Sequence, residues 1–120
     1  MNDCLYHPNV VRCFSSFRKK DHFYIFMEYV GFRTLDDLSV PLTNEKQIIS
    51  LIIQLCLGLK HLKNKKIVHR DLKPSNILIS DKGLLKIADF GISRVIEYDN
   101  QAKTMLGTPF YTAPEVIEEK

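Results

Sequence analysis

The sequence has few cysteines, no long apolar run and little net charge. Each shortage removes a class of function. Its three cysteines, Cys4, Cys13 and Cys56, are odd in number, widely spaced and free of any C-x-x-C pair. A disulfide framework and a structural zinc site are therefore not expected, and buried thiols in a reducing compartment are. The most apolar stretch, IISLIIQLCLGL at 48–59, is too short to span a bilayer and is interrupted by Gln54. A secretory signal is not expected from the first residues. The formal net charge is +3, from 17 basic and 14 acidic residues, and no basic run exceeds RKK at 18–20. That balance points to solvated surface charge, with neither nucleic acid nor a membrane as a partner. The expected setting is intracellular, cytoplasmic or nuclear.

What is present suffices for one small domain. The sequence has 120 residues and is 45% hydrophobic, which is globular and not disordered. NVVRCFSSF at 9–17 and HFYIFMEYV at 22–30 are rich in β-branched and aromatic residues, so they read as a hairpin around RKKD at 18–21. GFRTLDDL at 31–38 reads as a connector running into a short helical turn.

Residues 43–63 carry the strongest helix signal. Asn44 or Thr43 can cap it, and Gln47 follows Asn44 by three. Ile48, Ile52, Leu55, Leu59 and Leu62 recur at helical spacing, with Ile49, Ile53 and Cys56 as a second stripe. Two stripes predict burial on more than one side, under something larger than this chain provides. NILIS at 76–80 and LLKIAD at 84–89 read as strands joined by the turn Asp81-Lys82-Gly83. Hairpin, long helix, loop and second hairpin make an α+β protein.

Between the long helix and the second hairpin lies HRDLKPSN at 69–76. DFG at 89–91 begins thirteen residues after Asn76, and APE at 113–115 begins twenty-two residues after Gly91. These three motifs, in this order, resemble the eukaryotic protein kinase family, serine/threonine type. The resemblance runs the length of the chain. HPNVV at 7–11 is similar to the turn into the family's fourth strand, YIFMEYV at 24–30 to its fifth strand and hinge, and GTPFYTAPE at 107–115 to its substrate-docking loop. It implies a partial kinase-like fold over 1–120. Residues 1–30 would be the end of the N-lobe sheet with the hinge, and 31–120 the first part of the mainly helical C-lobe.

The implied reaction is transfer of the ATP γ-phosphate to protein Ser/Thr hydroxyls, with Mg²⁺. Phosphoryl transfer depends mostly on positioning and on neutralising negative charge. By resemblance, Asp71 accepts the hydroxyl proton and Lys73 neutralises the moving phosphate. Asn76 and Asp89 offer the oxygen ligands a hard cation takes, and Thr108 helps fix Asp71 and Lys73. A Lys two residues after the Asp is the serine/threonine pattern. Glu28 and Val30 would meet the adenine edge through their backbones, with Met27 behind it and Leu78 as the pocket floor. His69 would pack against Phe90. Arg70 and Arg94 would receive a phosphate on Thr104, placed there by an upstream activating kinase.

Some family features do not occur in the sequence. It has no G-x-G-x-x-G loop, no V-A-I-K-like lysine, and none of the later helices with the arginine that pairs with Glu115. Phe32 and Arg33 stand where relatives often carry a glycine pair, Thr112 where a larger apolar residue is usual, and Cys13 where an aliphatic is common. A second reading therefore stays open: a non-catalytic kinase-like binding protein, or an incomplete gene product.

Overall fold

The structure is a computed structural model that describes residues 6–38, 43–89 and 109–117. Strand β1 (Cys13–Lys19) and strand β2 (His22–Met27) form an antiparallel hairpin, with a bulge between Cys13 and Ser15. Lys19 pairs with His22, so the turn is only Lys20 and Asp21. Lys20 takes φ 52. Two-residue hairpin turns need a positive φ to match strand twist, and this one draws Arg18 and Lys19 out of the expected turn and into the strand. Phe17 stacks on Tyr24 across the hairpin, with ring centroids 5.1 Å apart.

The expected first strand was to begin at Asn9. Residues 9–11 instead dock on a segment far along the chain: Val11 donates its N–H to the Ile87 carbonyl at 2.9 Å, and Ile87 donates to the Asn9 carbonyl at 3.0 Å. Burial explains the choice. In the hairpin, whose strand residues are nearly all exposed, Val10 would stay in water; against Ile87 both side chains are almost fully buried.

Strand β3 (Arg33–Thr34), strand β4 (Ile77–Ile79) and strand β5 (Leu85–Ile87) make a second antiparallel sheet in the order β3-β4-β5. β3 lies in what the sequence suggested was only a connector. Two ladder pairs, Arg33 with Ile79 and Thr34 with Leu78, are all it makes. The expected helical turn follows at Leu35–Asp37. Asp37 closes it by accepting the Thr34 backbone N–H at 2.7 Å and hydroxyl at 2.8 Å. Those two bonds, backbone first, hold the Asp37 carboxyl below its ordinary value. The β4–β5 turn is the one expected, with Gly83 at φ 72.

Helix α1 (Glu45–Asn64) begins where its cap predicts. The Asn44 side chain accepts the N–H groups of Lys46 at 3.0 Å and Gln47 at 3.4 Å. It ends in a Schellman arrangement: Ile67 donates to the Leu62 carbonyl at 3.0 Å, and Lys66 donates to Lys63 at 2.9 Å. Lys66 takes the left-handed position at φ 58, where glycine is usual. One side of α1 is covered. Leu62 is buried with Val10 and Ile87, and Leu55, Leu59, Ile67 and Leu72 pack around them. The other stripe, with Ile49, Ile53 and Cys56, is exposed, as is Ile52. Cys13 on β1 is exposed too, so the two described thiols are not buried as expected: each lies on a face that no described element covers. No described helix is long and apolar enough to cross a membrane.

Candidate active site

The core delivers a polar loop to its edge. Residues 68–73 leave the α1 terminus, and Pro74–Asn76 form one 3-10 turn leading into β4. Proline at the first position of that turn suits its fixed φ. Asn76 is pinned on both sides, because its N–H donates to the Lys73 carbonyl and its own carbonyl accepts the Ala88 N–H, each at 2.9 Å.

Three of the expected site residues meet here. The Asn76 Nδ2 donates to the Asp71 backbone carbonyl at 2.8 Å and to Asp71 Oδ2 at 3.1 Å. Lys73 Nζ lies 3.0 Å from the same Oδ2. The Asp71 carboxylate is therefore held by one neutral and one charged donor, and charge-assisted bonds are the stronger kind. Asn76 is buried and Asp71 nearly so, while Lys73 remains partly open to solvent. With Nδ2 committed to Asp71, Oδ1 is the Asn76 atom left to face a cation.

Asp89 follows Ala88 directly, so the Ala88–Asn76 bond brings the second expected metal ligand alongside the first. Asp89 is exposed and takes φ 59, and Arg70 takes φ 68. A left-handed conformation costs a residue with a Cβ about 1–2 kcal/mol. Two such residues flanking one cluster mark a geometry set by something other than local preference, as is common at functional sites.

His69 has a role that its residue type did not reveal. It is buried, with Nε2 2.6 Å from the Ala88 carbonyl, while Nδ1 accepts the Asp71 N–H at 3.3 Å. An acceptor on one side and a donor on the other fix the Nε2–H tautomer. The imidazole thus ties the backbone of Asp71 to the end of β5. The expected packing against Phe90 falls outside the described residues. So do Arg94, Thr104 and Thr108.

The expected adenine-side residues lie at the end of β2 and on β4. Glu28 is half-buried, and its N–H donates to the Arg12 carbonyl at 2.9 Å. Its carbonyl is therefore the backbone group left for a ligand. Val30 is half-buried before Gly31, which takes φ 129, and Leu78 is half-buried in the middle strand of the second sheet. The Glu28 side chain adds a link that the sequence did not disclose. Its Oε1 accepts the Arg12 N–H at 2.7 Å and the Lys86 ammonium at 2.8 Å. Fifty-eight residues separate Glu28 from Lys86, so no local pattern could have announced the pair. Arg70 is exposed.

The protein kinase domain family model matches residues 1–120. The chain is 39% identical over 119 residues to mouse serine/threonine-protein kinase Nek1, covering 95% of this chain and 10% of that protein. It is 39% identical over 120 residues to human serine/threonine-protein kinase Nek5, covering 95% of this chain and 17% of that protein. Identity reaches 45% over 121 residues with mitogen-activated protein kinase kinase kinase 3 of Arabidopsis thaliana, covering 94% of this chain and 18% of that one. The chain thus spans 10% to 18% of the length of these three curated relatives. With its fold, its HRDLKPSN loop and the match along its whole length, the chain belongs to the protein kinase domain family.

Proposed function

We propose that this chain carries the catalytic centre of a serine/threonine protein kinase, which moves the ATP γ-phosphate to Ser or Thr hydroxyls of a protein substrate. The observation that carries the reading is the Asp71 carboxylate gripped by Lys73 and Asn76, with Asp89 next in sequence to the Ala88 that bonds the Asn76 carbonyl. The substrate oxygen attacks the γ-phosphorus in line, the bond from that phosphorus to the ADP oxygen breaks, and the hydroxyl proton passes to Asp71. Asp71 cannot swing away, because two donors and its own backbone hold it. Lys73 offsets charge on the transferring group. The oxygen-bearing side chains of Asn76 and Asp89 suit Mg²⁺, which when bound neutralises and orients the phosphates.

The Glu28 carbonyl and the Val30 backbone meet the adenine edge, above Leu78. Residues 1–30 then belong to the upper lobe and hinge, and 31–120 to the lower lobe. Thr104 is the regulatory phosphate acceptor, Arg70 and Arg94 its ligands, and Thr108 supports Asp71 and Lys73. An upstream kinase supplies that phosphate. Free Cys13 and Cys56 suit the reducing cytoplasm or nucleus.

The test joins this chain to a glycine-rich loop and strand lysine before Met1 and to the family's later helices after Lys120. The chimera is expected to phosphorylate a serine/threonine peptide, and Asp71→Asn to lower kcat by about 10²–10⁴ with folding intact. Asp89→Asn is expected to act similarly through weaker metal binding. A folded chimera that transfers nothing would favour a kinase-like binding protein, and activity that survives Asp71→Asn would remove Asp71 from the chemistry.

A further inference from the structure

Two imidazoles join residues 7–11 to helix α1. His7 and His61 stack with ring centroids 5.0 Å apart and planes 28° from parallel. The His7 Nδ1 accepts the backbone N–H of Asn9 at 3.1 Å. A neutral imidazole that accepts at Nδ1 carries its proton on Nε2, so a second proton has only Nδ1 to occupy. The Asn9 N–H already points there. Protonation of His7 and the Asn9 hydrogen bond therefore exclude each other.

The surroundings also oppose a charge. The groups facing His7 are His61 from α1 and Lys86 from β5. Lys86 cannot turn away without leaving Glu28 Oε1, 2.8 Å from its ammonium. The buried Nε2 of His61 has no hydrogen-bond partner, so the stack offers no satisfied polar network to absorb a new charge. Burial first, then His61, then Lys86 hold the His7 pKa below its ordinary value of 6.5.

Asn9 is the fastening point of this region. Its side chain donates to Gln54 Oε1 at 3.1 Å on α1 and to the Leu85 carbonyl at 2.9 Å on β5. The same Gln54 oxygen accepts the Leu85 N–H at 2.8 Å. What disturbs Asn9 disturbs the attachment of 7–11 to both elements.

We propose that His7 is a proton-operated latch. Neutral, it holds Asn9 and keeps residues 7–11 seated on α1 and β5. Protonated, it gives up the Asn9 N–H, repels Lys86 and loosens that seat. The sign follows from linkage. A folded-state pKa below 6.5 means the unfolded chain binds more protons between that value and 6.5. Stability then falls as pH drops through this window, and the latch contributes in full above it.

The inference stands apart from phosphoryl transfer and is tested without it. Imidazole NMR would follow each histidine of the 120-residue chain from about pH 8 to about pH 5, with hydrogen exchange read at the Asn9 amide. His7 is expected to titrate below 6.5, and Asn9 protection to fall across the same midpoint as its N–H loses the His7 Nδ1 acceptor. A His7 midpoint at or above the ordinary value overturns the latch. So does Asn9 protection that stays constant through that midpoint.

Discussion

At the residue scale the tightest contact is made by a side chain that is absent. Gly58 sits in the middle of α1, where glycine costs about 1 kcal/mol in helix propensity against alanine. A Cβ there would lie 2.8 Å from the Asn9 carbonyl oxygen and 2.9 Å from Ile87 Cδ1. The Ile87 methyl can shift, but the Asn9 oxygen is backbone and already accepts from Ile87. Overpacking in a filled core typically costs about 1–3 kcal/mol, which exceeds the propensity gained. Gly58→Ala is therefore expected to lower stability by up to about 2 kcal/mol, read as a smaller urea midpoint with an unchanged slope. An unchanged or raised midpoint would mean that residues 9–11 move away freely. The site residues divide along similar lines. Asp71, Lys73 and Asn76 fall within six consecutive positions, so the cluster could be read from the sequence. The Glu28–Lys86 pair, the His69 link to Ala88 and the need for Gly58 depend on long-range folding, and composition carries no trace of them.

At the element scale, α1 was the most legible part because its signals are local: a capping Asn44, a helical stripe and a run of good length. The β4–β5 hairpin was legible for the same reason, through Gly83. β3 was not, because two residues carry no periodicity and their strand character comes entirely from β4. The 9–11 segment misled for the opposite reason. Its apolar residues suit a strand, but the partner that buries Val10 is Ile87, far along the sequence. The end of α1 gives a direct test of these element-level forces. Lys66 holds the left-handed position of the Schellman turn at φ 58. Its N–H and that of Ile67 satisfy helix carbonyls, so the conformation is fixed by the motif and not by the residue. Glycine adopts it without the Cβ penalty. Lys66→Gly is expected to raise stability by about 1 kcal/mol, less the added freedom of the unfolded chain. Thermal unfolding of the two proteins side by side would measure this. A destabilised Lys66→Gly would mean that the lysine side chain contributes something beyond its backbone position.

At the scale of the whole molecule, the balance between covered and uncovered apolar surface governs behaviour in solution. Among the described residues the buried apolar side chains are few: Val10, Val11, Leu62, Ile77, Leu85, Ile87 and Ala88. Ile49, Ile52, Ile53 and Leu57 share one face of α1 by their spacing, and each is about half exposed, from 47% to 52%. Phe14, Phe17, Phe23 and Phe26 are also exposed on the first hairpin. Full burial of a large aliphatic side chain is worth about 1.5–3 kcal/mol, so four half-covered ones leave several kcal/mol unrealised. A contiguous face of this kind favours association once a second such face is available. The 120-residue chain is expected to self-associate as its concentration rises, and sedimentation velocity would show this as a growing weight-average coefficient. Placing opposite charges at the centre of the face, in the double variant Ile52→Lys with Ile53→Glu, is expected to shift the chain toward monomer. The same variant should cost little folding stability, because these side chains lie outside the Val10, Leu62 and Ile87 cluster and both replacements are better helix formers than isoleucine. A monomeric variant with an unchanged urea midpoint would separate the two roles of α1, one face building the core and the other waiting for cover. A large loss of stability would show instead that the uncovered face already supports the fold.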